Sequence, residues 1–515
     1  MAVVAVFVLA TPDAARAQSA RARLSQDLSQ RLDSGNTDAA SVIISGSQQK
    51  IDRLAARHGL TVHKRLSTGA VLDVPAGTLA ALAADPEVDH ISGNAVVQAN
   101  DDLTNQTIGA DLVQAGAWAP GASALTGKGI GVAVIDSGVA NMPELAGRVV
   151  VSRDFTDKRG PGTDLHGHGT HVAGIIAAGG SNRYDNARGV APEANIINLK
   201  VLDAQGQGVI GDVIEAIDWA VANKDRYNIR VMNLSLGAPV TEGYHDDPLC
   251  QAVERAHNAG IVSAAAAGNY GRHPETGEPI IESIPTPGVC PFAITVGALN
   301  AKGTPWRGDD RVTSYSGKGP TAISHLPKPD FVAPGHQILS LAAPGSTLVR
   351  EHPELVIGSG RDARLLLNGS SMATAVASGV MAILFDNEPR LGPSSVRFFL
   401  QYSAEKSDEG LFIAGAGKLN LLAALSMPDP NAAPQIAGEP QVAGEVAFAV
   451  DAATALTEGE NILWGSNILW GSNILWGSNI LWGSNILWGN NILWGSNILW
   501  GSNILWGSNI LWGSN

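Results

Sequence analysis

Cysteine is nearly absent. Two residues, Cys250 and Cys290, occur in a chain of 515, which excludes a disulfide-rich scaffold and any zinc site built from four thiols. One disulfide and two free thiols both remain open. Basic residues are in deficit: 34 Lys and Arg stand against 48 Asp and Glu, a net charge of −14. That balance speaks against nucleic acid or an anionic membrane as the main partner. Aromatics make up 5% of the chain, and of 12 tryptophans only Trp118, Trp219 and Trp306 precede the C-terminal repeats. Long apolar runs are missing as well. The longest N-terminal one, Met1 to Ala10, falls short of the ~20 residues that a membrane-spanning helix needs.

What is present divides the chain into six parts. Residues 1–17 combine that short apolar run with Ala15-Arg16-Ala17 just before Gln18. This is the ending expected of a secretory signal peptide whose charged start lies upstream, and it predicts a secreted or extracytoplasmic protein. Residues 18–40 are polar and helix-compatible. From 41 to 100 short apolar strands (Val42–Ile44, Ala70–Val74, Val88–Ile91, Ala95–Val97) alternate with helical patterns at Ile51–His58 and Thr78–Ala84, where Thr78 is a candidate N-cap. Such a segment is read as a small ferredoxin-like α+β unit. Between 101 and 427 unbroken apolar runs recur at Ile130–Ile135, Ile196–Leu202, Val231–Leu236, Ile261–Ala266 and Ala293–Val296, with helical periodicity at Val209–Asn223 and Leu249–Ala259. That pattern predicts an α/β fold, a parallel sheet with helices on both faces. Residues 428–460 read as a Pro/Ala-rich acidic linker, and 461–515 repeat Asn-Ile-Leu-Trp-Gly-Ser, with Asn490 in place of one Ser.

Chemistry-bearing side chains in an open α/β sheet collect at the carboxyl ends of its strands. Asp136 ends the run Gly131-Val-Ala-Val-Ile. Taken alone it would be a solvated turn residue. His168 stands in Asp164-Leu-His-Gly-His168-Gly-Thr-His171. Three histidines so close suggest a metal, but the His-x-x-x-His spacing with an adjacent Glu is missing. A helix start beside the sheet is the better reading. Ser371 follows Gly369-Ser370 and precedes a run of small and apolar residues. It would sit at a helix N-terminus, where developing negative charge is favoured. An esterase elbow, G-x-S-x-G, does not fit Gly369 to Ala373.

Asp, His and Ser in this chain order are the subtilisin arrangement. Val-Ile-Asp136-Ser-Gly, His168-Gly-Thr-His-Val-Ala-Gly and Gly-Ser-Ser371-Met-Ala-Thr together resemble the three signatures of the subtilisin-like serine proteases, over roughly residues 41–427. The resemblance implies a serine endopeptidase with Asp136, His168 and Ser371 as its triad. It implies Asn269 as the oxyanion-hole donor together with the Ser371 amide. Gly206, Gln207, Gly208, Ser235, Leu236 and Gly237 would clamp an extended peptide, and Ala266, Ala267 and Gly268 would flank a pocket for an apolar P1 side chain. Residues 41–100 would be a propeptide that assists folding, inhibits the enzyme and is cut off near Asn100. Lys328 to Gly335 resembles a structural turn of the family.

No cofactor is required for the chemistry. Structural calcium is allowed by the resemblance: Glu144 falls near a family ligand, while the loop Gly180 to Asn186 is shorter than usual. Ala375 and Val376 replace a common Pro and His, and Tyr270 replaces a frequent acid. The partners implied are protein or peptide substrates and the chain's own propeptide. The repeats, extended at an even period, would stack as a β-solenoid or fibril-like array, or form short strands joined by Gly-Ser-Asn turns, or hold no fixed fold. Their exposed Trp favour self-association or a surface. The rival function is therefore a catalytically silent surface-binding or assembly protein driven by the tail.

Overall fold

The computed structural model describes residues 22–33, 37–94, 103–156, 160–179, 188–426, 435–441, 443–444 and 446–448, and the backbone of short strands between 463 and 512. The signal-like segment 1–17, the strand expected at Ala95–Val97, the processing region near Asn100 and the loop Gly180 to Asn186 lie outside the described residues. The chain forms two compact units, Met1–Ala99 and Asn100–Asn515.

In the first unit the elements run β1 (Arg23–Leu24), α1 (Gln26–Asp33), β2 (Ala40–Ser45), α2 (Gln48–His58), β3 (Thr61–Leu66), β4 (Gly69–Val74), α3 (Leu79–Ala83) and β5 (His90–Gly93). Their sheet has the order β1-β5-β2-β4-β3. Val42 and Ile44 alternate onto the buried face and meet Ile51 and Leu54 of α2 in one apolar cluster. Ser47 caps α2 by accepting from Lys50 N, and Gly59 ends it at φ 63°, a left-handed turn suited to glycine. Thr78 precedes α3 but makes no side-chain capping bond, so its expected role is not filled. The reading of 18–40 as a plain leader is also corrected, since Ala22 and Leu28 are buried in the same cluster. Strand β3 adds an element beyond the short apolar strands of the sequence pattern. Its sequence, Thr-Val-His-Lys-Arg-Leu, lies at the sheet edge with mostly exposed side chains, so no apolar run marks it.

The second unit is built on one eight-stranded sheet. Its strands are β6 (Gly131–Asp136), β7 (Val149–Asp154), β8 (Asn195–Lys200), β9 (Ile229–Leu234), β10 (Val262–Ala266), β11 (Ala293–Asn300), β12 (Arg311–Val312) and β13 (Phe331–Pro334). The order is β12-β11-β10-β9-β6-β8-β7, with β13 also on β11, and every pairing is parallel except that of β12. Alternate residues serve opposite cores. Val132 and Val134 join one apolar cluster with α4 (His168–Ala177) and α7 (Ser370–Asn387). Ala133 and Ile135 join another with α5 (Ile210–Ala222) and α6 (Pro248–Asn258). Burial on both faces is why the strands read as unbroken apolar runs. Because the first strand, β6, lies between β8 and β9, its carboxyl end is a topological switch point.

Two expectations are corrected here. Lys328 to Gly335 contains a strand of the sheet, β13, with the fully buried Lys328 Nζ 2.7 Å from Asp330 Oδ2. The expected linker 428–460 also contributes to the folded unit. Ile436 and Phe448 are buried in apolar clusters of the second unit, and Phe448 N donates to Gln401 Oε1 at 3.1 Å. Pro and acidic residues in that stretch masked these two anchors. In the repeats, Leu463-Trp464 pairs in parallel register with Leu475-Trp476, and Leu469-Trp470 with Leu481-Trp482. Alternate hexads therefore fall on two separate sheets, of five and four strands.

Candidate active site

Strand β6 delivers Asp136 fully buried to the switch point. Its Oδ1 accepts from Ser137 N at 2.7 Å and lies 2.8 Å from His168 Nδ1, with Oδ2 at 3.0 Å from the same nitrogen. A carboxylate only accepts, so Nδ1 is the donor and the Nε2 lone pair of the neutral ring is left free to take a proton. Burial works to lower the His168 pKa, but the charges of Asp136 and Asp164 and the Asp136 hydrogen bond outweigh it, and the net shift is upward.

His168 is the first residue of α4, behind Gly167 at φ 107°. A β-carbon on Gly167 would come within 2.6 Å of Ser346 Oγ, so the turn that presents the imidazole has room only for glycine. The neighbouring histidines do not gather around a metal. His171 is fully buried, its Nε2 lying 2.9 Å from Leu365 O and 3.2 Å from Ile338 O. Burial pushes its pKa down to about 3. Among the described residues no cluster of three His, Cys, Asp or Glu forms a metal site. Glu144 is buried with its Oε1 2.7 Å from Arg364 Nη2. A single carboxylate facing a guanidinium does not fit calcium, which takes six to eight oxygens.

Ser371 lies in the first turn of α7, where leading N–H groups have no partner within the helix. Its Oγ donates to Ser235 O at 3.2 Å. Among the described residues no hydrogen bond joins it to His168. Asn269 is exposed, and its Oδ1 accepts from Ser370 N at 2.9 Å. That bond fixes the amide so that Nδ2 is the end left to donate. A β-carbon on Gly369 would stand 3.2 Å from that Nδ2. Ser235 Oγ donates to Ser371 O at 2.9 Å and accepts from Asn233 Nδ2 at 2.9 Å. Asn233 Oδ1 in turn accepts from Ser378 Oγ at 3.0 Å.

A cleft of about 480 Å³ runs past His168, lined by Gly206, Gln207 and Gly208, by Ser235, Leu236 and Gly237, and by His166. Ala266, Ala267 and Gly268 do not line it. They are buried at the end of β10, and a β-carbon on Gly268 or Gly237 would come within 2.6 Å of the Pro285 ring. Pro285 therefore fills the gap between these two segments, a contact across 17 or more positions with no local signature. Cys250 and Cys290 are joined by a disulfide, their Cα atoms 5.3 Å apart.

The model of the subtilase family matches residues 127–417, more than half of the chain. The chain belongs to the subtilase family. This subtilase is 40% identical over 302 residues to serine protease AprX of Bacillus subtilis (strain 168), a match covering 58% of this chain and 66% of that protein. It is 34% identical over 300 residues to subtilisin of Bacillus pumilus, covering 58% of this chain and 92% of that one. Among solved structures, Sphericase aligns at a TM-score of 0.48 with 28% identity, over 57% of this chain and 92% of that one. The matched span contains the subtilisin-like serine endopeptidase domain and every candidate site residue.

Proposed function

We propose that this subtilase is a secreted serine endopeptidase with Asp136, His168 and Ser371 as its triad. The observation that carries the reading is the buried Asp136 carboxylate bonded to His168 Nδ1, beside a cleft whose wall residue Ser235 also holds the Ser371 hydroxyl. When a peptide binds, the Ser371 hydroxyl turns from Ser235 O to His168 Nε2. Catalytic hydrogen bonds are often unformed before substrate is present. Ser371 Oγ then attacks the carbonyl carbon and His168 takes the hydroxyl proton. Asn269 Nδ2 and the Ser371 amide hold the oxyanion. His168 returns the proton to the departing amine, and water releases the acyl group by the same route. This is the template established for subtilisin itself.

We further propose that the first unit, whose strand order supports a ferredoxin-like fold, is a propeptide that inhibits in cis and is removed near Asn100. The paired, charge-free repeats would associate with other copies or adhere to a surface. Fluorophosphonate labelling of wild type and Ser371→Ala tests the catalytic reading. Covalent labelling lost in the variant supports it. A folded wild type that stays unlabelled after its first unit has been removed by an added protease would favour the silent surface-binding or assembly protein.

A further inference from the structure

The N-cap of the helix that presents His168 is Gly167, which has no side chain to satisfy the first N–H groups. A residue three positions upstream supplies that function. Asp164 is buried, with 4% of its surface exposed. Its Oδ1 accepts from His166 N at 3.1 Å, Gly167 N at 2.7 Å and Ser137 Oγ at 2.9 Å. Its Oδ2 accepts from Thr170 N at 2.8 Å and Thr170 Oγ1 at 2.6 Å. Ser137 Oγ, having donated, accepts from Gly169 N at 2.9 Å. Thr170 Oγ1 likewise accepts from Ala140 N at 2.9 Å. One carboxylate thus fastens the backbone on both sides of His168 to the strand end that carries Asp136.

We propose that Asp164 is a positioning residue for the His168 base, holding the imidazole against Asp136 and adding a second negative charge that favours its cationic form. This rests on the reading of His168 as the general base. Among the described residues Asp164 is the one carboxylate besides Asp136 whose charge acts on the ring. The other ionisable groups around it are His166, whose ring centroid is 6.3 Å away, and His171 one turn along α4. Lys200 faces them from β8, donating to Ser137 O at 2.6 Å, with Asp154 and Asp203 acting on Lys200 from beyond. A buried charge that is pre-aimed at the developing imidazolium needs no reorganisation during the reaction.

The test compares Asp164→Asn and Asp164→Glu with wild type in kcat/KM against pH. It also follows the His168 ring by NMR titration in a Ser371→Ala background, where no activity is needed. Asp164→Asn is expected to lower kcat/KM at neutral pH by about 10- to 100-fold, the scale of a small misplacement of a reacting group. Both the acidic limb and the His168 titration should move to lower pH, and Asp164→Glu should restore the titration in part. A folded Asp164→Asn protein whose His168 titrates as in wild type overturns the electrostatic role. Thr170→Val keeps the charge and tests the anchoring by itself if Asp164→Asn does not fold. It loses the Oγ1 bonds to Asp164 Oδ2 and from Ala140 N and should lower kcat by about 5- to 30-fold, the size of one to two lost hydrogen bonds, and an unchanged kcat overturns the anchoring. A wild type that takes no fluorophosphonate sinks the hydrolase reading instead, and leaves the titration to judge Asp164.

Discussion

On the base side of the site, Asp136 and Asp164 are buried and between them accept from Ser137, His168, His166, Gly167 and Thr170. On the nucleophile side, Asn269 is exposed and tied through Ser370, and the Ser371 hydroxyl rests on a backbone carbonyl at 3.2 Å. The first arrangement fixes charge in place before any substrate arrives. The second leaves one torsion to be set when the peptide enters. A site divided in this way commits its electrostatics to the fold and its final alignment to binding, so damage to each half should be read out by a different measurement.

Removing the nucleophile tests the comparison most severely. Ser371→Ala should lower kcat by about 10⁶-fold, the size measured for subtilisin itself, and should leave the first unit attached. Ser371→Ala protein that still cleaves its own chain in cis would overturn the assignment of the nucleophile. A smaller effect belongs to the base side. His171 shares α4 with His168, but burial holds its folded pKa near about 3. Between that value and the ordinary imidazole pKa the unfolded chain binds more protons, so stability falls as pH drops through this window, by roughly 5 kcal/mol in all. His168 has a raised pKa and works with the opposite sign, contributing stability that is lost as pH rises through its folded value. Urea unfolding of wild type and His171→Gln at pH 7 and pH 4 separates the two: the variant should be weaker at pH 7 and less sensitive to acid. An equal loss in both proteins would assign the acid sensitivity elsewhere.

The same division explains what could be read from the sequence. Asp136, His168 and Ser371 each stand beside glycines and at the end or start of an apolar run, because a strand end or a close-packed helix start demands those neighbours. The central strands were legible for the same reason, being buried on both faces. Strand β3 was not, since an exposed edge carries Lys and Arg. Asp164 was visible only as a flank of the histidine motif. Its importance depends on Ser137, 27 positions away, and no local pattern records that. Arg364, 220 positions from Glu144, engages that carboxylate, and the sequence around Glu144 does not announce that partner for the same reason. Pro285, packed between Gly237 and Gly268, could be found only once β9 and β10 were side by side.

Asn269→Ala should lower kcat by about 10²- to 10³-fold with little change in KM, again the scale known for subtilisin. An oxyanion donor acts in the transition state more than in the bound ground state. A loss confined to KM would mean that Asn269 binds substrate and does not stabilise the oxyanion. Because Asn269 belongs to the nucleophile half, its variant should leave the acidic limb of the pH profile in place.

The smallest expected effect sharpens the comparison most. Ser235 Oγ donates to Ser371 O and accepts from Asn233 Nδ2, which is buried behind it. Ser235→Ala removes both bonds and leaves Asn233 Nδ2 without that acceptor, a cost of about 1 to 3 kcal/mol in stability. The backbone carbonyl that holds the Ser371 hydroxyl remains, so the nucleophile keeps its resting position and kcat should fall less than about tenfold. His168 and its carboxylates are untouched, so the acidic limb should not move, in contrast to Asp164→Asn. Kinetics of Ser235→Ala across pH, set beside its urea unfolding, decide the point. A displaced limb would show that the two halves are electrostatically one unit, since a neutral hydroxyl on the nucleophile side would then be tuning the base.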